Sequence, residues 1–180
     1  MKSRKNLGSL QLTDKDEIMT TYMQIDGIPG DVTAKGHENW IAIKDFSFGV
    51  KRSLSTDPGR VSDRESTRPS ISEVSLMKKM DKSSPLLFGE SCVGKAKPTI
   101  KIHLCQTDNN LNPYAEITLN NVIVSGYQVH SNAQSNGAYP EEKIHLNFDK
   151  IEIRYIPYDN QNQAQSPIPA GYDLRQAVAA

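Results

Sequence analysis

The feature that most constrains the fold is a nearly continuous β-type run from residue 144 to residue 157. Apolar residues alternate with polar ones in both halves of this run, first at Ile144, Leu146 and Phe148 and then at Ile151, Ile153 and Tyr155. Alternation with a period of two predicts a strand with one buried face. The apolar residues pass from even to odd positions at Asp149 and Lys150, so either the buried face changes sides there, as at a bulge or barrel corner, or both faces are covered. We therefore predict one long strand that serves two surfaces, the core of its own subunit and a neighbouring subunit.

Other alternating segments predict an antiparallel β protein. Strands are indicated at residues 22–26, 40–50, 70–78 and 99–105, and residues 114–129 predict one long strand or two strands divided at Asn120 and Asn121. In the second of these segments, one face should point to the core through Trp40, Ala42, Phe46 and Phe48. With six or seven strands and one helix, the pattern favours an antiparallel barrel or sandwich crossed by the helix.

One helix is predicted within residues 81–95. Ser84 is placed to cap the first free amides, Pro85 fits the first helical turn, and Gly94 suits a left-handed position at the C-terminal end. The apolar residues Leu87, Phe88 and Cys92 are expected to pack on the sheet.

Composition excludes several classes of function. The 180-residue chain suits one domain, and 21 Lys and Arg balance 21 Asp and Glu, so no net charge attracts nucleic acid or a membrane surface. The basic N-terminus lacks a following apolar core, which predicts a cytoplasmic protein without a signal peptide. We expect residues 1–20 to be a flexible extension, residues 21–159 to form the domain, and residues 160–180, which lose the alternation, to be a flexible tail.

The motifs for catalysis and for ligand binding are incomplete. Gly89 to Lys95 has the spacing of a phosphate-binding loop, but Ala96 stands where a hydroxyl should hold Mg²⁺, and the segment predicts a helix. His103 and Cys105 share a strand face, yet a metal site needs three or four ligands, so we interpret them as a surface histidine beside a packed cysteine. We therefore predict no enzyme activity, no metal and no cofactor.

Four stretches in order resemble one family. They are YMQIDGIPGDVT at residues 22–33, SDRES at 62–66 followed by PSISE at 69–73, DKSSPLLF at 81–88, and RYIP at 154–157. On these motifs the chain is identified as a member of the haemolysin-coregulated protein (Hcp) family, the tube subunits of bacterial type VI secretion systems. The resemblance runs from about Met19 to Asp159.

The resemblance implies a small antiparallel β-barrel of two sheets with one flanking helix, which closes into a hexameric ring. Rings would stack into a tube that a contractile sheath drives out together with a spike protein and effector proteins in the lumen. It also implies secretion without a signal peptide. A head-to-tail contact that closes makes a ring, and a second one between rings makes a filament.

The resemblance also suggests contact residues. The family's extended loop corresponds to residues 51–69, where a solvated loop without a partner is the alternative. Together with the second half of the opening run, it supplies the candidates for contacts between subunits or rings: Arg60, Asp63, Arg64, Glu65, Ile151, Ile153 and Tyr155. The rival functions are a monomeric β-barrel that binds a small ligand and a phage-type tail tube protein.

Overall fold

The structure, a computed structural model, describes residues 20–53, 68–106, 111–131 and 139–180. Over these residues the chain forms twelve strands and one helix. In chain order they are β1 (Thr20–Ile25), β2 (Ile41–Ile43), β3 (Asp45–Ser47), β4 (Val50–Lys51), β5 (Ser70–Ile71), β6 (Val74–Lys79), α1 (Ser84–Val93), β7 (Lys97–Cys105), β8 (Pro113–His130), β9 (Glu141–Asn147), β10 (Lys150–Tyr155), β11 (Ile168–Asp173) and β12 (Val178–Ala179).

Two antiparallel sheets share the strand β8. The first sheet has the order β12-β11-β10-β8-β7-β1-β2, and the second has the order β3-β6-β9-β8. The 18-residue β8 pairs with β7 and β10 along its first part and with β9 along its last part. It remains one strand, but Asn121 takes a left-handed backbone with φ 51°, which asparagine tolerates better than most residues. The single long strand is therefore the correct alternative for this segment.

The run from residue 144 to residue 157 is two strands, so the prediction of one continuous strand is wrong. Its first half lies in β9 of the second sheet, and its second half lies in β10 of the first sheet. Phe148 and Asp149 connect them, and Phe148 is buried. The apolar positions change parity because the chain passes from one sheet to the other while still facing the same core.

A second corner of this kind occurs at Lys44, between β2 and β3. The Lys44 N–H donates to the carbonyl of Met77 at 2.8 Å, which ties the corner to β6. Ile41 and Ile43 face the core, whereas Trp40 is buried on the opposite side of the sheet. The prediction of which residues of β2 face the core is thus wrong. At a corner the same alternation continues, but the residues that face the core change from one parity to the other.

The main core lies between the two sheets. It is made mostly of Ile, Leu and Val side chains that are at most 5% exposed, such as Leu76, Ile102, Leu119, Ile144 and Leu146, and it also contains Met23. These residues are the ones that the alternating patterns place inward. The helix in the described part of the chain is not long and apolar enough to span a membrane.

Helix α1 packs on this core through Leu87, which is fully buried. Phe88 is 55% exposed but meets the ring of Tyr127 on the sheet, so its predicted packing is partial, whereas Cys92 is exposed and its predicted packing is wrong. The N-cap is Ser83 instead of Ser84, and Gly94 takes the predicted left-handed conformation with φ 68°. The residues before and after Leu87 in the helix are exposed, so only a narrow side of the helix meets the sheets.

The prediction of a mainly β fold with two sheets and one helix is confirmed. Pairing among the described strands leaves β2, β3 and β12 at sheet edges, so this part of the chain forms an open two-sheet structure instead of a closed barrel. Residues 168–173 and 178–179 form β11 and β12, which corrects the prediction of an unstructured tail. The pairing of β11 with β10, and of β12 with β11, supplies the order that the local sequence does not signal.

Candidate subunit interface

The first sheet extends past its own core at the end of β10. On one face of β10, Ile151 is buried, Ile153 is half-buried and Tyr155 is 51% exposed. Directly opposed residues of antiparallel strands share a face. Tyr155 is opposed to Ala115 of β8 and to Ile168 of β11, which is 62% exposed. An apolar face therefore runs out of the core into solvent.

We call this surface the apolar overhang and define it as Ala115, Ile153, Tyr155, Ile168 and Ala170. Scattered exposed apolar residues are normal, but a connected group on one face of a sheet marks a surface suited to burial against a protein. Of the predicted contact residues, Ile153 and Tyr155 belong to the overhang. Ile151 belongs to the core, on the same face of β10 as Ile153.

The other face of β10 is polar and partly paired. The Arg154 guanidinium donates to Glu116 at 2.9 Å, between strands that are neighbours in the sheet. The other carboxylate oxygen of Glu116 lies 4.0 Å from Nε2 of His103. The two faces of this part of the sheet therefore differ, with apolar groups on one and charged groups on the other.

The extended loop starts from an ordered stem. Strands β4 and β5 pair with each other, and the Ser72 N–H donates to the carbonyl of Gly49 at 2.9 Å. A small cavity of about 190 Å³ is lined by Arg68 to Ile71 at the stem, by Tyr172 of β11, and by Leu174 and Ala177 of the turn between β11 and β12. The stem thus lies beside β11, the strand that also carries part of the overhang. Four predicted contact residues lie outside the described residues: Arg60, Asp63, Arg64 and Glu65.

A buried polar network holds α1 to the second sheet. Lys78 and Glu142 are cross-strand partners on β6 and β9, and both side chains are fully buried. The Lys78 ammonium donates to Glu142 at 2.7 Å and to the Ser84 hydroxyl at 3.1 Å, and it lies 2.9 Å from Asp81. The Ser84 hydroxyl in turn donates to Glu142 at 2.9 Å. Ser84 therefore joins helix and sheet instead of capping the helix.

Tyr127 completes this network from β8. Its hydroxyl donates to Glu142 at 2.6 Å, and its ring meets Phe88 edge-on at a centroid distance of 5.8 Å. Burial, followed by the hydrogen bond to Glu142, raises the pKa of Tyr127 above its usual range. The network links three strands and the helix, so it fixes where the helix sits on the subunit.

A second cluster lies under the loop that connects β1 and β2. Nε2 of His37 is 3.0 Å from Nδ1 of His103 and 3.7 Å from Sγ of Cys105. Tyr22 and Trp40 pack their rings on His37 at 4.9 and 4.7 Å. Cys105 is fully buried as predicted, whereas His103 is covered and is not the surface residue that we expected.

The environment of the two histidines favours their neutral forms. Burial, then the neighbouring His37 and Lys101, lowers the pKa of His103 to about 4. Burial also lowers the pKa of His37, although the nearby Glu38 opposes this effect. A shared hydrogen bond between two neutral rings therefore fastens the loop to β7.

The described residues contain no group of three or more His, Cys, Asp or Glu side chains arranged to hold a metal. The segment with phosphate-loop spacing is the end of α1 followed by its Gly94 cap. A phosphate loop needs a strand, a loop and a helix in that order, and a helix with its C-cap does not provide this arrangement.

Solved structures share this fold. A structure described as a type six secretion system protein matches with a TM-score of 0.83 and 24% identity over 90% of this chain and 99% of the other. Hcp1 from Salmonella typhimurium matches with a TM-score of 0.73 and 21% identity over 90% and 99%. A type VI secretion system effector from Yersinia pestis matches with a TM-score of 0.67 and 22% identity over 85% and 98%. A comparison with curated protein sequences gave no match.

The chain therefore shares the fold of these structures, with two sheets, one shared strand and one flanking helix. The family model described as "Type VI secretion system effector, Hcp" matches residues 22–155, about three quarters of the sequence. The chain belongs to the Hcp family. The match ends at Tyr155, where the overhang begins to leave the core.

Proposed function

We propose that this protein is a subunit of the type VI secretion tube, and that it closes into a hexameric ring through the apolar overhang. The observation that carries the proposal is the exposure of Tyr155 and Ile168 on a sheet face that is continuous with the core. Burying apolar surface stabilises association by about 25 cal/mol per Å² removed from water. A neighbouring subunit that covers this face would complete a core that one subunit leaves open.

The rings then stack into a tube, and the charged loop contributes to that second contact. The ordered stem supports this role, because it lies beside β11, which carries part of the overhang. The partners are further copies of the chain, a spike protein at the tip, a contractile sheath outside and effector proteins in the lumen. Zero formal net charge favours stacking of many copies, since repulsion does not accumulate.

The protein acts in this proposal by assembly and carriage, without catalysis of its own. It is made in the cytoplasm and leaves the cell with the tube. Family membership supports this assignment. The network around Lys78 supports it as well, because Lys78, Ser84 and Glu142 are buried and hydrogen-bonded to one another.

The test measures the mass of the purified chain by light scattering behind a sizing column, with images of the same peak. We expect particles of about six subunits with a ring shape. Tyr155→Lys combined with Ile168→Lys should give monomers of unchanged fold, because a buried unpaired charge is costly.

Val93→Lys is the matched control, since Val93 is 74% exposed at the end of α1. It removes a similar apolar group and adds the same charge. Rings should persist in this variant. Rings that survive the double substitution on the overhang would show that another surface closes the ring.

A further inference from the structure

A groove of about 600 Å³ opens at the edge of the first sheet. One side is the outer face of β1 and β2, and the other sides are the loop at residues 31–34 and the end of β6 with the residues after it. The apolar residues that line it are Tyr22, Val32, Ala34, Ala42, Ile43 and Met80. Such a surface suits a short apolar segment better than a polar ligand.

Most of the charged residues around this groove already have a partner of opposite charge. Asp31 lies 3.7 Å from Lys82, and Asp81 lies 2.9 Å from the buried Lys78. Lys44 forms an ion pair with Glu141. Lys79 is exposed and lies opposite Glu141 across β6 and β9. The hydrogen bond and charge of Lys44 lower the pKa of Glu141, and the charge of Lys79 adds to this effect. Within the described ranges, however, the side chain of Lys79 makes neither a hydrogen bond nor an ion pair. The charge that the groove offers to a partner is therefore positive.

The chain itself brings a segment of matching chemistry to this place. Thr20, the first residue of β1, lines the groove, so the residues before it start there. Their sequence from residue 14 to residue 19 is Asp-Lys-Asp-Glu-Ile-Met, which joins three carboxylates to two large apolar side chains. Six residues reach at most about 20 Å, and the groove adjoins Thr20, so this length is sufficient.

We propose that residues 14–19 dock into this groove of their own chain. Ile18 and Met19 cover the apolar wall at Ala42 and Met80, and the carboxylates of Asp16 and Glu17 meet the ammonium of Lys79. Because the segment is tethered at Thr20, its effective concentration is high, and modest contacts are enough to hold it. The docked segment covers the outer face of β1 and β2 and closes it to other partners. None of the groove residues belongs to the overhang.

The test uses the full chain, a carbodiimide that joins carboxylates to amines in direct contact, and peptide mass spectrometry. A mixture of unlabelled and ¹⁵N-labelled protein separates links within one chain from links between chains. We expect Lys79 to be linked to Asp16 or Glu17 with both peptides of the same label. Lys79→Arg keeps the charge and should remove this link, and the exposed Lys95 should show no link to the segment.

A double substitution distinguishes docking from mere proximity. Ile18→Ser combined with Met19→Ser leaves every charge in place and should lower the yield of the Lys79 link about tenfold, because the apolar contacts are lost. An unchanged yield would mean that the segment is close without docking, and it would overturn the proposal. Links between differently labelled peptides would assign the groove to a second copy. Absence of the link in the unsubstituted protein would also overturn the proposal.

Discussion

At the scale of single residues, the informative positions are buried polar groups in otherwise apolar patterns. Lys78 follows Val74 and Leu76 in the inward phase of β6, and Glu142 precedes Ile144 and Leu146 in the inward phase of β9. Period-two phase thus places two opposite charges in the interior, next to each other across the strands. Sequence reasoning passed over this signal because charged residues near strand ends are usually solvated.

Removing one partner of this pair should strongly destabilise the fold. Lys78→Met leaves the carboxylate of Glu142 buried without its cation, which we expect to lower the free energy of unfolding by about 3–5 kcal/mol. Urea unfolding measures the loss. Lys44→Met breaks the ion pair with Glu141, whose side chains are 56% and 36% exposed, and should cost at most about 1 kcal/mol. Similar losses in the two variants would contradict a special role for the buried pair.

Stability should also fall in mild acid because of the covered histidines. Burial lowers the pKa of His103 to about 4 in the folded state, whereas an unfolded histidine titrates near 6.5. The unfolded chain therefore takes up the proton first. The stabilising effect of the neutral ring is complete above about pH 6.5 and is lost as the pH falls toward 4, by at most about 3 kcal/mol.

The measurement is the free energy of unfolding of the protein between pH 4 and pH 7. His103→Gln should flatten this dependence, because it removes the titrating ring. His130→Gln alters an exposed histidine at the end of β8 and should leave the dependence unchanged. A profile of His103→Gln that is parallel to that of the unsubstituted protein would assign the effect to other groups.

At the scale of elements, corners and close approaches decide how strands are used. The loop after β1 returns to β2 so closely that a Cβ atom on Gly30 would lie 2.2 Å from the carbonyl oxygen of Trp40. The Gly30 N–H also donates to the carbonyl of Asn39 at 2.8 Å. The loop therefore needs glycine here because of its neighbour across the turn, and this loop covers the histidine cluster.

Gly30→Ala should destabilise the protein by at least about 2 kcal/mol, since backbone atoms would have to move apart. Gly49→Ala is the matched control, because a Cβ atom there meets nothing within 4 Å, and it should change stability by at most about 0.5 kcal/mol. Thermal unfolding, with Trp40 fluorescence as a local signal, compares the two variants. Equal stability would show that the loop can withdraw from β2 without cost.

The opening strand run shows how an element can be right in phase and wrong in extent. The change in parity predicts one long strand that serves two surfaces, whereas in the structure the chain passes there from the second sheet to the first. Local sequence records which residues turn inward. It does not record that β8 pairs with β9 at one end and with β10 at the other, which is a contact between distant segments.

At the scale of the whole molecule, the chain leaves an apolar face at one end of the first sheet, and the stem of the charged loop lies beside β11 of that sheet. Both features suit a protein whose stable form includes its neighbours. The C-terminal strands are part of this arrangement, because β11 covers the edge of β10 and supplies Ile168 and Ala170. An uncovered edge there would offer unpaired backbone groups to any passing strand.

The loop charges should matter for assembly more than for folding. Charge reversal at Asp63, Arg64 or Glu65 is expected to reduce ring stacking or secretion, while the unfolding transition of the subunit stays within about 0.5 kcal/mol. Electron microscopy of tubes and secretion into the medium measure the effect. Lys95→Glu, which reverses an exposed charge after α1, is the control. Unchanged stacking and secretion in all three loop variants would show that the loop has no partner.

The sequence by itself determined which apolar residues turn inward in most strands, where the helix lies and to which family the chain belongs. Alternation at Ile144 to Phe148, the Pro85 and Gly94 helix signals and four ordered motifs are local features, so one chain segment at a time is enough to recognise them. Only the tertiary structure decided which strands pair, that the chain turns corners at Lys44 and Phe148, and that residues after Asp159 join the first sheet. Those outcomes depend on partners far away in the sequence, and β11 becomes a strand because the edge of β10 is there to pair with it.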